Sequence, residues 1–373
     1  CDYRPVEHMS RNKPSAVIVM AAVVVVIYGM QMMSVLLVPF LIAAFLALIT
    51  AKPMLWMQAH RVPSVLAALI IVFALMMFLG FVGSILGSSI GDFTAALPAY
   101  QARLDVIVDG AFKLIVENFN LDEKVESVGD MIDPGWAMGL VAGLLNSLRD
   151  VLTNAFLIIF TMIFILLEAS TAQTKFQAAF GRSAESVEGM RDFMQNLGRY
   201  LGIKTLVSIA TGMCAGVLTW SLGLDFPLLW AMIAFLLNYV PTIGSIIASV
   251  PAVLLALVQL GPAAAGATAM GYVGINVVFG NFLEPRLRGY GVGISPLVVF
   301  VGLVAWGWIF GPVGMLLSVP LTMTLKMALE NDERTKWVAI LLGSERDAIH
   351  ALKRRARQEA AAAKADQATS TSS

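Results

Sequence analysis

The chain has 373 residues, of which 58% are hydrophobic and only 13% charged, and its 25 basic and 25 acidic side chains cancel. Soluble domains carry about 45–50% apolar and about 25% charged residues, so this composition excludes a soluble enzyme, a nucleic-acid binder and a secreted disulfide scaffold. Cys1 and Cys214 are the only cysteines, and His8, His60 and His350 all fall outside the apolar stretches. No zinc site, disulfide framework or cofactor is expected. Cys1 is expected to be an arbitrary boundary rather than a lipoprotein cysteine.

A membrane span needs about 20 apolar residues. Residues 14–51 carry no charge and suffice for two helices, broken near Gly29–Gln31 and marked by Pro39. Residues 62–91, 151–167 and 205–224 predict the third, fourth and fifth spans. Residues 226–283 and 289–325 are uncharged throughout. Short-loop Lys and Arg set orientation. Arg4, Arg11, Lys13, Lys52, Arg61, Lys175, Arg182, Arg191 and Arg199 fall on one side together with the basic tail, so both termini are expected in the cytoplasm. The expected organisation is a three-span region (1–91), an extracytoplasmic segment (92–150), a fourth span with a cytoplasmic linker (151–200), a core (201–330) and a basic tail with a disordered end (331–373).

Leu97, Leu104 and Ala111 repeat every seven residues, with Tyr100, Ile107 and Leu114 as companions. That seam predicts an amphipathic helix, packed either on the bundle and lipid headgroups or on another protomer. Asp133-Pro134-Gly135 reads as a turn. The Lys353–Arg357 cluster either touches anionic lipid or only enforces topology.

The second half repeats. At an offset of 69, Pro227-Leu228 lands on Pro296-Leu297 and Ser249-Val250-Pro251 on Ser318-Val319-Pro320. Asp225 and Ser295 precede the prolines and read as helix starts. Each unit divides into arms, 228–240 with 243–258 and 297–310 with 313–327, too short to span the bilayer. Paired short segments with Gly/Pro breaks point to a transporter site. The expected fold is an all-α polytopic membrane protein of about eight membrane segments, including two re-entrant hairpins in an inverted repeat. Four full spans would give the same loop charges.

The run Leu237-Asn238-Tyr239-Val240-Pro241-Thr242-Ile243-Gly244 resembles the N-x-x-P-x-x-G break of the AI-2E family of bacterial transporters, the autoinducer-2 exporter-like permeases. So do Asn281-Phe282-Leu283-Glu284-Pro285-Arg286, followed by Gly289, Gly293 and Pro296, and Phe310-Gly311-Pro312-Val313-Gly314-Met315 with Ser318 and Pro320. The resemblance runs from the first span to about residue 330. It implies a protein of the bacterial inner membrane, a ring-like homo-oligomer (a pentamer) and links to export of the quorum signal autoinducer-2 or to sodium/proton exchange.

Irregular backbone inside a membrane must face protein or a watery cavity. The break Asn238–Ser245 therefore supplies the candidate solute-binding residues Asn238, Pro241, Thr242, Gly244 and Ser245, with Asn281 and Glu284 at the inner approach. Their alternative role is helix capping. Glu284 either couples to a proton or cation or forms an interfacial cluster with Arg286 and Arg288. Arg286, Gly311, Gly314 and Pro320 are candidate coupling or gating positions. Pro251 and Pro320 free the carbonyls of Ile247 and Leu316, for a ligand or for a kink. Lys204, Glu168 and Lys326 read as interface anchors, and Gly212, Gly216, Gly266, Gly271 and Gly274 as close-packing sites. The partners expected are a small-molecule or ion substrate and the lipid bilayer. No Walker motif or intramembrane catalytic set is present, so an enzyme is not expected. A channel and a membrane scaffold remain the rival classes to a secondary transporter.

Overall fold

Helix is the regular structure throughout the described residues of the computed structural model, as expected where hydrocarbon leaves the backbone no water to bond. The structure describes residues 16–119, 143, 153–180, 184–241, 243–288, 293–330, 335–345, 348–349 and 352–353. The helices are α1 (Ala16–Met32), α2 (Ser34–Ala59), α3 (Ser64–Phe119), α4 (Ala155–Phe180), α5 (Ala184–Leu222), α6 (Pro227–Leu237), α7 (Gly244–Leu260), α8 (Pro262–Ile275), α9 (Glu284–Arg288), α10 (Pro296–Leu316), α11 (Ser318–Glu330) and α12 (Lys336–Leu342). A π-helical segment, Asn276–Leu283, joins α8 to α9. By length and composition, residues 34–59, 64–93, 191–222, 262–287 and 296–316 are five helical stretches apolar enough to cross a membrane, among the described residues, although the last is interrupted at Gly311.

α3 and α5 cross two expected boundaries without a break, at 91/92 and 200/201. α3 has 56 residues, about 84 Å at 1.5 Å per residue, so the third span and the amphipathic helix are one rod. Tyr100 of the seam is buried and Ile107 half-buried against the core. The side chains of Leu97, Leu104, Ala111 and Leu114 lie outside the described set, as do the 120–135 turn region and the Arg354–Arg357 part of the tail. The α1–α2 break falls at Met33, a few residues after the expected Gly29–Gln31.

Two packing units build the bundle. In the first, Ala43 and Ala47 of α2 and Ala67 and Ala68 of α3 are buried against Ile158, Met162 and Leu166 of α4. Small side chains let the backbones approach where no water drives association. In the second, α6 lies along α5 through glycines. A Cβ on Gly212 would sit 2.7 Å from the Ala231 carbonyl, and one on Gly216 would sit 2.9 Å from the Ala231 Cβ. Gly271 of α8 is packed against Leu218. Gly266 and Gly274 have open space around them, so the close-packing role holds for Gly212, Gly216 and Gly271 alone.

Both repeat units fold back on themselves. Gly244 lies against the carbonyl oxygen of Leu237, and Gly314 lies against that of Trp306. Leu237 and Trp306 are equivalent at the offset of 69; the two glycines differ by one residue more. In a straight helix, Gly302 and Thr322 would stand about 30 Å apart, yet a Cβ on Gly302 would come within 2.6 Å of Thr322 Oγ1. Trp306 Nε1 donates to the same oxygen at 3.1 Å. The reversal turns on Gly311, whose φ of 66° and ψ of −151° no ordinary L-residue adopts cheaply. The reversal falls inside α10, so the arms of this helical hairpin are 296–310 and 312–330, as α6 and α7 are the arms of the first.

The two hairpins meet α5 from opposite ends. α6 descends from the C-terminal end of α5, past Gly216 and Gly212. The base of the other hairpin, at Ile294, Val319 and Met323, clusters with Leu197, Tyr200 and Leu201 in the N-terminal half of α5.

Of the two expected helix starts, Ser295 holds the N-cap place before Pro296 and Asp225 does not hold that place before Pro227. Asp225 is not a cap: Phe226 holds that place in the left-handed region (φ 59°), and neither Phe226 nor Ser295 makes a side-chain cap bond. Asp225 instead accepts from the Tyr100 hydroxyl at 2.9 Å, and its backbone carbonyl accepts from Trp230 Nε1 at 2.8 Å. Phe93 of α3 packs edge-on to Phe226 and Trp230, each at 5.8 Å. The C-terminal half of α3 is thus strapped to the base of the first hairpin.

Candidate functional site: a polar band where a hairpin tip meets α5

Lys204, Ser208 and Thr211 recur at helical spacing on one face of α5, and all three are buried. Each has a different solution for its polar end. Lys204 Nζ donates to both carboxylate oxygens of Glu284, at 2.9 and 3.1 Å. The two side chains are 5% and 9% exposed, so the pair is removed from solvent. Ser208 Oγ accepts from Asn238 Nδ2 at 2.9 Å. Thr211 Oγ1 has no hydrogen-bond partner among the described residues.

The tip of the first hairpin lands on this band. Tyr239, beside Asn238, donates its hydroxyl to Thr205 Oγ1 at 2.8 Å, and Thr205 donates onward to the Leu201 carbonyl at 2.8 Å. The Tyr239 ring stands edge-on to Phe45 of α2 at 5.6 Å. Three elements thus converge: α5, the hairpin tip and, through Glu284, the end of the π segment. α5 and α8 run antiparallel, since Leu218 meets Gly271 at one end and Lys204 meets Glu284 at the other. The Glu284 N–H bonds to the Phe279 carbonyl, five residues back. That is the π pattern, which occurs mostly as single-turn bulges within α-helices, frequently at functional sites.

The predicted residues divide. Asn238 and Glu284 are buried on the band. Gly244 is the contact that closes the tip, while Pro241 and Ser245 are half-buried beside it. Thr242 lies outside the described residues. Asn281 is exposed and does not share the burial of Glu284. Arg286 is exposed and sits 5.9 Å from the Phe282 ring centre, so the expected pairing of Glu284 with Arg286 gives way to Lys204. Gly311 and Gly314 form the second reversal. Pro320 stands in the first turn of α11, where a missing N–H costs little, whereas Pro251 is interior to α7.

Lys204, Ser208 and Thr211 were missed as site residues. Their signal was present: a lysine and two hydroxyls on one face of an apolar helix. Lys204 at a predicted span end reads as an anchor until the fold brings Glu284 to it. Lys326, another expected anchor, donates to the Gly293 carbonyl at 2.7 Å and ties down the base of the second hairpin.

Known proteins similar to this chain bear transport names. AI-2 transport protein TqsA of Escherichia coli (strain K12) is 37% identical over 331 residues, which is 89% of this chain and 96% of that protein. A protein of Haemophilus influenzae that bears a transport-protein name is 36% identical over 333 residues, 88% of this chain and 95% of its own length. YhhT of Escherichia coli (strain K12), also named for transport, is 31% identical over 329 residues, 88% of this chain and 93% of its own. The profile of the AI-2E family transporters matches residues 17–333, and the chain belongs to that family of membrane transporters.

Proposed function

We propose that the protein is a secondary transporter of the bacterial inner membrane that moves a small polar solute by alternating access. The observation that carries this reading is the buried band on α5 with the Asn238 tip docked on it. A buried hydroxyl without a partner costs about 1–3 kcal/mol, so Thr211 beside the Ser208–Asn238 bond marks a place for water or for a solute hydroxyl. The two hairpins are re-entrant and enter from opposite faces, making an inverted repeat around α5. Both termini lie in the cytoplasm, and the protein assembles as a homo-oligomer, a pentamer by family resemblance. Autoinducer-2-like signals are the first solutes to try, because TqsA carries that substrate in its name.

Counterflow in proteoliposomes with a panel of small polyhydroxylated solutes tests the function. Saturable exchange is expected, with Asn238→Leu abolishing it while folding and oligomer size hold. Exchange that does not saturate marks a channel instead. Unchanged exchange in Asn238→Leu moves the site elsewhere. Re-entrance is tested by single cysteines in a background lacking Cys1 and Cys214. Ser221→Cys and Leu260→Cys should both react with an impermeant thiol reagent from outside. Leu260 is chosen over Gly261 because the glycine has a φ of 92°. Labelling of Leu260→Cys from the cytoplasm alone would sink the hairpin arrangement.

The Lys204–Glu284 pair favours a second reading, in which an ion is exchanged. Sodium or proton flux that persists in the absence of every organic solute would establish it.

A further inference from the structure

We infer that Glu284 is a proton-binding switch whose resting counter-ion is Lys204, and that protonation of Glu284 releases α5 from the π segment. This deepens the transport reading and rests on it for its purpose. The pair joins two bodies that alternating access must move past each other: the span preceding the first hairpin and the span preceding the second. Both ends are buried, so pulling them apart as ions would leave two uncompensated charges out of water, which is strongly unfavourable. Neutralising Glu284 leaves one such charge, on Lys204, rather than two, and is the cheaper way to dissolve the pair.

A proton fits the geometry better than a metal ion. Lys204 Nζ occupies both carboxylate oxygens, at 2.9 and 3.1 Å, and a metal would have to displace it from both. A proton needs only one. In the step proposed, a proton from water adds to one Oε of Glu284, and the carboxylate becomes a neutral carboxylic acid. Lys204 keeps its three protons, and its ammonium turns to oxygen acceptors along the band, Ser208 Oγ being one turn away on α5. No other group changes protonation. The loss of charge lands where the backbone is already irregular: Glu284 directly follows the π segment, and its N–H makes the last π bond.

Among the described residues, several charged and titratable groups stand on the elements around the pair. On α5, Arg199 and Tyr200 precede Lys204 by one turn or slightly more, and they line a cavity of about 480 Å³ that also takes in Asp192, Lys326 and Glu330. On α2, Lys52 Nζ would lie 3.8 Å from a Cβ at Gly202. On the hairpin tip, Tyr239 is engaged by Thr205. On α9, Arg286 and Arg288 accompany Glu284 on its own helix. Glu284→Gln separates the proposed switch from all of these.

The test needs no substrate. In proteoliposomes, infrared difference spectra between neutral and mildly acidic buffer should show a protonated-carboxyl band in the parent that Glu284→Gln lacks. In the background without native cysteines, labelling of Ser245→Cys on the first hairpin should rise severalfold in acid relative to Ser221→Cys, which cancels the reagent's own pH dependence. Adding Glu284→Gln should leave that ratio high and flat. The exchanged pair Lys204→Glu/Glu284→Lys keeps one acid and one base, and should restore the pH response if single variants fold poorly. A flat ratio in the parent, or an unchanged band in Glu284→Gln, overturns the switch. Failure of counterflow for every solute with the switch intact overturns the transport reading instead.

Discussion

The two hairpins share a fold-back geometry and differ in what holds them. Gly244 and Gly314 each lie against a carbonyl of the preceding arm. The second hairpin is stitched internally, by the bond from Trp306 to Thr322, and at its base, by Lys326 on Gly293. The first puts its polar groups outward: Asn238 and Tyr239 bond to α5 rather than to the other arm. Its base is flanked by glycines with positive φ, Gly223 at 78° and Gly261 at 92°. Gln259 bridges that base, accepting from Asp225 N–H at 3.0 Å and donating to the Gly223 carbonyl at 3.4 Å. One hairpin is built to keep its own shape. The other is built to grip a neighbour through bonds that a solute or water can replace.

The largest effect that separates them should come from the ion pair below the first tip. Lys204→Met or Glu284→Ala alone should cost about 3–5 kcal/mol of stability, because each strands a buried charge. The double variant Lys204→Met/Glu284→Leu should regain most of it. Thermal unfolding in detergent reads both, and equal losses in single and double variants would count against a buried pair. Next come the reversals. Gly244→Ala and Gly314→Ala place a Cβ against backbone rather than against a flexible side chain, so each should lose about 1–3 kcal/mol. If one tolerates alanine, the two turns are not equivalent.

A smaller effect makes the sharpest contrast. Thr322→Val in the second hairpin and Ser208→Ala opposite the first each remove one hydrogen-bond partner, worth about 1 kcal/mol. Their stabilities should fall alike, while only Ser208→Ala should raise the KM for counterflow. The smallest effect is at the strap. Tyr100→Phe should cost about 1 kcal/mol, at the low end because Asp225 is exposed. Burial, then the bond to Asp225, pushes the Tyr100 hydroxyl up to about 12. A group whose proton is held more tightly when folded stabilises fully below its ordinary value near 10 and loses that contribution as pH rises through about 12. The difference between Tyr100→Phe and the parent should therefore be constant from neutral to mildly basic pH.

What the sequence disclosed follows from how local each signal is. The helix breaks were legible because Pro227, Pro296 and the Gly/Pro positions act within a few residues of where they stand. Asn238 and Glu284 were legible as polar groups in apolar surroundings, where each must find a partner. The identity of the partner was not. Lys204 and Glu284 stand eighty residues apart, and nothing in either segment distinguishes a lysine at a span end from one turned inward. Arg286, two positions from Glu284, was the nearer choice in sequence, but it projects to the exposed side. Asp225 misled for a similar reason. An acid before a proline fits a helix start, and only the approach of α3, carrying Tyr100, shows where its carboxylate is engaged.

The π segment makes the chain sensitive to length as well as to residue type. Each residue added to or removed from a helix turns everything beyond it by about 100°. Between Gly271, held against Leu218, and Glu284, held by Lys204, the number of residues is a phase setting. Deleting one residue among Val277, Val278 and Phe279 would remove no polar group from the site, yet it would swing Glu284 away from Lys204. Alanine substitution at the same positions would leave that phase intact. In this stretch, residue count is under tighter constraint than residue identity.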